Sequence, residues 1–340
     1  MQFTSDTSAP VHPEIFDAML AANEGAASSY GADAWTQKAK QALQDIFETD
    51  LDVWFAPSGT AANALAISTF CSPLSSIVCH KEAHIERDER NACEFYTGGA
   101  KLALQGGAHG LLSPEEIGQL FEAADPNFVH ETPPGLLSVT HLSECGAAYD
   151  IMAIEALCAH AHAFGAPVHM DGARFANAIV SKDVAPADIT WRAGVNVLTF
   201  GATKNGAIAC EAIILFGEAR SKYPELLARA KRAGHMPAKL RYTAAQMLGY
   251  LQDGLWLKLA RQANSSATTL ADMLLDVEGV SLAHPVDGNE VFAHLPDDVA
   301  RRLTKAGVGF YKWLDGSHRF VCSWATQASD IDALKRALSA

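Results

Sequence analysis

Short apolar, β-rich runs alternate along this chain with segments of helical spacing, and that alternation constrains the fold more than any other feature. Runs at 53–56, 76–80, 101–105, 136–140, 167–171, 195–201 and 209–216 predict strands. Between most of them, 60–70, 113–123, 151–163, 174–180 and 186–192 carry helical spacing or composition. Such alternation predicts an α/β fold: a mainly parallel, seven-stranded sheet with helices on both faces. Ligands of these sheets sit at the carboxyl ends of the strands, so the residues that follow each run are the ones to read for chemistry.

After residue 216 the texture changes. A charged helical stretch at 218–233 leads to a longer one at 240–264, where Met247, Leu251, Leu255 and Leu259 recur every four residues. Beyond it, short strands near 280–283, 290–295, 309–314 and 319–324 surround a helix at 298–306, and a last helix is expected at 330–339. The predicted organisation is an N-terminal arm (1–35), a large ligand-binding domain (36–240), and a bridging helix with a small α+β C-terminal domain (241–340). The arm is expected to pack on that small domain.

Composition narrows the function. The chain has 340 residues, 49% of them apolar, and a net charge of −13. This is enough material for a full core without metal or disulfide staples. The acidic balance opposes a nucleic-acid partner, which would need Lys and Arg to displace phosphate counterions. Seven scattered cysteines form no CxxC pair and read as reduced core thiols. The N-terminus lacks a positive segment followed by an apolar one, and no stretch approaches the length needed to span a bilayer, so a cytoplasmic location is expected.

Three motifs carry chemistry. Ser58-Gly59-Thr60-Ala61-Ala62-Asn63 directly follows a strand and opens a helix, which gathers free N–H groups and the positive end of the helix dipole at one spot suited to a phosphate. The same residues are also a good N-cap. His169-Met170-Asp171-Gly172-Ala173-Arg174 ends a strand in a carboxylate that could hold a ring nitrogen protonated, or could simply cap the next helix. In Gly201-Ala202-Thr203-Lys204-Asn205-Gly206 a lysine set among small residues after a strand would lose part of its water shell, which favours the neutral amine that forms an imine.

The ordered set of Phe3-Thr4-Ser5-Asp6, Tyr30-Gly31, Ser58-Gly59-Thr60, Ala83-His84, His169-Met170-Asp171-Gly172-Ala173-Arg174-Phe175 and Gly201-Ala202-Thr203-Lys204 resembles the low-specificity L-threonine aldolases and phenylserine aldolases, of the fold-type-I pyridoxal-phosphate enzymes. The resemblance covers nearly the whole chain. It implies pyridoxal 5'-phosphate held on Lys204 as a Schiff base, with Asp171 on the pyridinium nitrogen. Ser58, Gly59, Thr60 and Thr203 would serve the phosphate. His84 would stack on the ring and, directly or through a water, take the β-hydroxyl proton. Arg174 and Arg319 would clamp the substrate carboxylate, with Ser5 as a further contact. Arg241 would reach toward the cofactor phosphate and Tyr30 toward the substrate of a neighbouring subunit's site, which implies a homo-oligomer, at least a dimer and compatible with a tetramer. The implied reaction is retro-aldol cleavage of a β-hydroxy-α-amino acid to glycine and an aldehyde.

The family's Glu-Asn-Thr-His run is replaced here by Thr140-His141-Leu142-Ser143-Glu144, leaving His141 and Ser143 as alternatives for holding the substrate side chain. His84, Glu86 and Asp88 have alternate spacing open to a metal reading, but a charged run of this kind is more often a solvated helix start. No metal is expected. A β-eliminating lyase on the same cofactor is the competing function. A nicotinamide oxidoreductase is opposed by the missing GxGxxG, and a scaffold role needs none of Lys204, Asp171 and His84.

Overall fold

The computed structural model describes residues 1–339. Its large sheet is built from β1 (Leu51–Ala56), β2 (Ser76–His80), β3 (Lys101–Gln105), β4 (Pro134–Thr140), β5 (Val168–Gly172), β6 (Val197–Gly201) and β7 (Glu211–Phe216). Their order across the sheet is β1-β7-β6-β5-β4-β2-β3. Only β7 runs against its neighbours, β1 and β6. Every residue of β5, β6 and β7 is buried, as expected where helices cover both faces. The seven predicted strands are therefore present, shifted by at most two residues at either end.

The stretch at 240–264 is not a single helix. Arg241–Leu251 stops at a short turn, Gln252–Gly254, and Leu255–Leu275 continues beyond it. Asp253 and Gly254 adopt left-handed φ values of 51° and 68°, a conformation that ends a helix. The four-residue apolar repeat still reports burial correctly, since Met247, Leu251, Leu255 and Leu259 all lie in the core. The charged stretch at 218–233 also divides. A 3-10 turn at Gly217–Lys222 precedes Tyr223–Arg232, whose Pro224 sits in the first helical turn where proline is tolerated.

A second, antiparallel sheet of β8 (Ser281–Leu282), β9 (Glu290–His294), β10 (Tyr311–Lys312) and β11 (His318–Val321) has the order β10-β11-β9-β8. Its core gathers Leu270, Leu274, Val291, Leu303 and Phe320 around Phe3 of the arm. The Phe3 N–H donates to the Gly309 carbonyl (2.9 Å), and the Phe3 carbonyl accepts from the Val321 N–H (2.8 Å). The arm is thus pinned to the small sheet as expected, though it also holds a helix, Pro13–Ala21. That helix lies against Gly249, where an added Cβ would come within 2.8 Å of the Ala18 Cβ. All seven cysteines are buried and unpaired. Among the described residues no helix is long and apolar enough to cross a membrane.

Candidate active site

The ends of β1, β4, β5 and β6 open on one cavity of about 220 Å³. After β1, Ser58 caps the helix Gly59–Phe70, its hydroxyl accepting from the Ala61 N–H at 3.2 Å. This leaves the N–H groups of Gly59 and Thr60 unclaimed among the described residues. A Cβ built on Gly59 would meet nothing within 4 Å, so the helix end faces open space. After β6, Thr203–Asn205 form a single 3-10 turn that presents Lys204 to the same cavity. The Lys204 amine makes no hydrogen bond or ion pair among the described residues.

Asp171 closes the floor. One carboxylate oxygen accepts from the Ala173 N–H at 2.9 Å and the other from the Asn63 amide at 2.8 Å. Burial alone would raise its pKa, but nearby His84 and Lys204 and the Ala173 N–H hold it below the usual carboxylate range. The same Asn63 nitrogen donates to Glu89 at 2.8 Å, and Glu89 in turn bonds His84 Nδ1 at 2.8 Å. With Nδ1 donating to that carboxylate, Nε2 is the nitrogen left to accept a proton. Burial lowers the His84 pKa, yet the bond to Glu89 and the charges of Glu144 and Asp171 outweigh it and carry the group above 6.5.

Arg174 is 5% exposed and lines the cavity. Its Nε and Nη2 donate to the two oxygens of Asp6 at 2.8 and 3.2 Å, and Nη1 lies 3.4 Å from Glu290. Five guanidinium donors leave protons on both terminal nitrogens for a further carboxylate. Asp6 is buried too; desolvation is opposed by Arg174, Lys204 and the Asn289 amide, which together keep its pKa lowered. Glu290 also accepts from Arg319 at 3.0 and 2.7 Å, so Arg319 approaches Arg174 through a shared carboxylate and does not itself line the cavity. Its remaining terminal nitrogen meets the Tyr311 hydroxyl, and its guanidinium lies over the Trp313 ring.

Other sequence-derived candidates lie elsewhere. Ser5 caps the turn Asp6–Ser8, bonding Thr7, and it is Thr7 that lines the cavity. Tyr30 is half-exposed under the Lys231 ammonium, 4.6 Å from its ring centroid. Arg241 donates to the Gly25 carbonyl at 3.0 Å. Within one chain neither touches the cavity. His141 is fully buried against Tyr149 and Phe175, with both ring nitrogens unpartnered, and burial takes its pKa down to about 3. The Ser143 hydroxyl is occupied by the His109 carbonyl at 2.7 Å. Leu142 and Glu144 form the wall that His141 or Ser143 was expected to supply.

Glu89, Glu144, Glu211, Asp6 and Glu290 were not singled out by sequence reasoning. The charged run after His84 does not read as uniformly solvated: Arg87, Asp88 and Arg90 are exposed, whereas Glu89 is 4% exposed. The signal that could have found it is its five-residue spacing from His84, just past the one-turn helix His84–Arg87.

Comparison with known proteins agrees with this arrangement. The profile of the β-eliminating lyase family matches residues 2–298. The low-specificity L-threonine aldolase of Pseudomonas aeruginosa is 40% identical over 98% of this chain and 96% of its own length. That of a Pseudomonas species is 38% identical over 98% and 95%. A solved threonine aldolase of Leishmania major superposes with a TM-score of 0.91 at 28% identity, covering 99% of this chain and 98% of the other. The seven-stranded sheet, the matched profile and these full-length relatives together place the chain in the β-eliminating lyase family, among the low-specificity threonine aldolases.

Proposed function

We propose that the cavity holds pyridoxal 5'-phosphate and cleaves β-hydroxy-α-amino acids of the L-threonine, L-allo-threonine and L-phenylserine type between Cα and Cβ, giving glycine and an aldehyde. The observation that carries this reading is the convergence of an unpartnered lysine amine, a buried carboxylate and an open helix N-terminus on one cavity, each from a different strand end. That donor set fits the cofactor: Lys204 suits its aldehyde, Asp171 its ring nitrogen, and Ser58, Gly59, Thr60 and Thr203 its phosphate. When bound, the cofactor supplies an electron sink for the pair released as Cα–Cβ breaks.

The protein's own groups do the rest. Asp171, held ionised by its neighbours, favours the protonated ring nitrogen. His84 Nε2 takes the substrate's β-hydroxyl proton while Glu89 fixes the ring through Nδ1, a contribution of roughly 10²- to 10⁴-fold for a positioned base. Arg174 holds the substrate carboxylate, with Arg319 setting the shared Glu290 and Ser5 shaping the turn that carries Thr7. Leu142 and Glu144 border the space for the substrate side chain. The exposed apolar Phe16, Leu20 and Phe95 support a homo-oligomer, in which Tyr30 and Arg241 would serve a neighbouring copy's cavity. The buried, unpaired cysteines suit a reducing cytoplasm.

Elimination on the same cofactor is the second reading, favoured by the name of the matched family. Product analysis of the cofactor-loaded protein with L-threonine separates the two. Equal glycine and acetaldehyde without ammonia is the expected outcome; ammonia with a keto acid would replace cleavage by elimination.

A further inference from the structure

Glu211 has no part in the chemistry derived so far, yet it lines the cavity beside Thr203 and Lys204. It opens β7, where it pairs with Gly201 of β6 on one side and Ala56 of β1 on the other. It therefore sits between the strand that leads to Lys204 and the strand that leads to Ser58. Asp171 pairs with Thr199, and Thr199 with Ile213, so Glu211, two residues from Ile213, shares the sheet face of Asp171. The side chain is 4% exposed, and Oε2 has no hydrogen-bond partner. Its hydrogen bonding is to Thr203, the residue before the lysine. A buried carboxyl with an idle oxygen, lining the same cavity as an amine that must change its proton count, has a direct chemical use.

We propose that Glu211 is the proton partner of Lys204: it takes a proton from the lysine ammonium when that nitrogen bonds to an aldehyde carbon, and returns it when the nitrogen is released. This rests on the cofactor assignment made above. The step balances. Lys204 –NH₃⁺ gives one proton to the Glu211 carboxylate, the nitrogen forms C=N with the aldehyde carbon, and its other two hydrogens leave with the aldehyde oxygen as water. On release by an incoming substrate amine, Lys204 departs as –NH₂ and recovers the proton from Glu211.

A partner in this role must be able to carry the proton or give it up near neutrality. Burial pushes the Glu211 carboxyl up, while Thr203 and Lys204 oppose the rise, leaving it at about 7. The other titratable groups facing it are Asp171 on β5, Cys210 beside it and Tyr250 on the helix Arg241–Leu251. Asp171 is lowered, and burial drives the thiol and the phenol far above neutrality, so none of the three titrates with it. His84, raised by its bond to Glu89, lines the same cavity and must be separated from it.

The test follows uptake of pyridoxal phosphate by the cofactor-free protein, reading C=N formation by absorbance across the neutral range for wild type, E211Q, E211D and H84N. In the wild type the uptake rate should rise through one step near pH 7 as Glu211 becomes able to accept a proton. E211Q should erase the step and slow uptake about ten- to a hundredfold, while E211D and H84N keep it. Infrared difference spectra of loaded wild type minus loaded E211Q should show a protonated-carboxyl stretch. Uptake by E211Q at the wild-type rate with the step intact, or no carboxyl band, overturns the proton-partner role and leaves the cofactor assignment standing. Wild type that takes up no cofactor overturns both. If E211Q does not fold, loss of the step in E211D overturns the role and its retention at a reduced rate supports it.

Discussion

The two walls of the cavity are built in opposite ways. The wall assigned to the cofactor comes from a single sheet: Ser58, Gly59 and Thr60 after β1, Asp171 at the end of β5, Thr203 and Lys204 after β6. The wall assigned to the substrate carboxylate exists only where three distant parts of the chain meet. Asp6 comes from the arm, Arg174 follows β5, and Glu290 and Arg319 belong to the small sheet. Strand ends in one hydrogen-bonded sheet are held by the backbone whatever the side chains do, whereas the second wall is held by the ion pairs themselves. Substitutions in the first should remove chemistry and spare the fold; substitutions in the second should disturb both.

Lys204→Ala gives the largest expected effect. Turnover should drop at least about a thousandfold, borohydride should trap no cofactor on the protein, and the melting temperature of the cofactor-free chain should stay unchanged. A residual adduct would place the anchoring amine elsewhere. Arg174→Ala tests the other wall. Removing the guanidinium leaves Asp6 buried without its ion-pair partner, while Glu290 keeps Arg319, so denaturant unfolding should show a loss of about 3–5 kcal/mol, together with a raised KM. If Asp6→Asn combined with Arg174→Met costs less than Arg174→Ala alone, the unpaired Asp6 charge is the cause. Equal stability for Arg174→Ala and wild type would erase the contrast between the walls.

His84→Asn should reduce kcat about a hundredfold and flatten its acid limb. Protonated His84 cannot accept the hydroxyl proton, so activity should fall as pH drops through a value above 6.5. Glu89→Gln replaces the carboxylate that raises the group with a neutral acceptor, so the limb should move to lower pH; a limb that stays in place would detach Glu89 from His84. The smallest effect is expected for Ser58→Ala. Losing this N-cap should cost about 1 kcal/mol of stability, read by thermal melting, with a several-fold weaker hold on pyridoxal phosphate.

The contrast between the walls also explains what could be read from the sequence. The strand ends were legible because each motif directly follows an apolar strand run, and the sheet then brings Ser58, Asp171 and Lys204 together. The break at Asp253-Gly254 was hidden because the four-residue apolar repeat runs through it undisturbed. Asp6 and Glu290 were illegible because their partner, Arg174, is 168 residues away from one and 116 from the other. His141 and Ser143 were the alternatives for holding the substrate side chain, yet His141 turns into the aromatic cluster, Ser143 bonds the His109 carbonyl, and the cavity is left to Leu142 and Glu144. One residue of register at the end of β4 decides which side chains line the cavity, and composition does not report it.

A crystal structure of the protein soaked with pyridoxal phosphate and glycine tests both walls in one measurement. The expected result places the phosphate at the N-terminus of the helix Gly59–Phe70, the ring nitrogen on Asp171, continuous density to Lys204, and the glycine carboxylate on Arg174. A glycine carboxylate bound away from an Arg174 still paired only with Asp6 and Glu290, or a ring nitrogen turned away from Asp171, would contradict it.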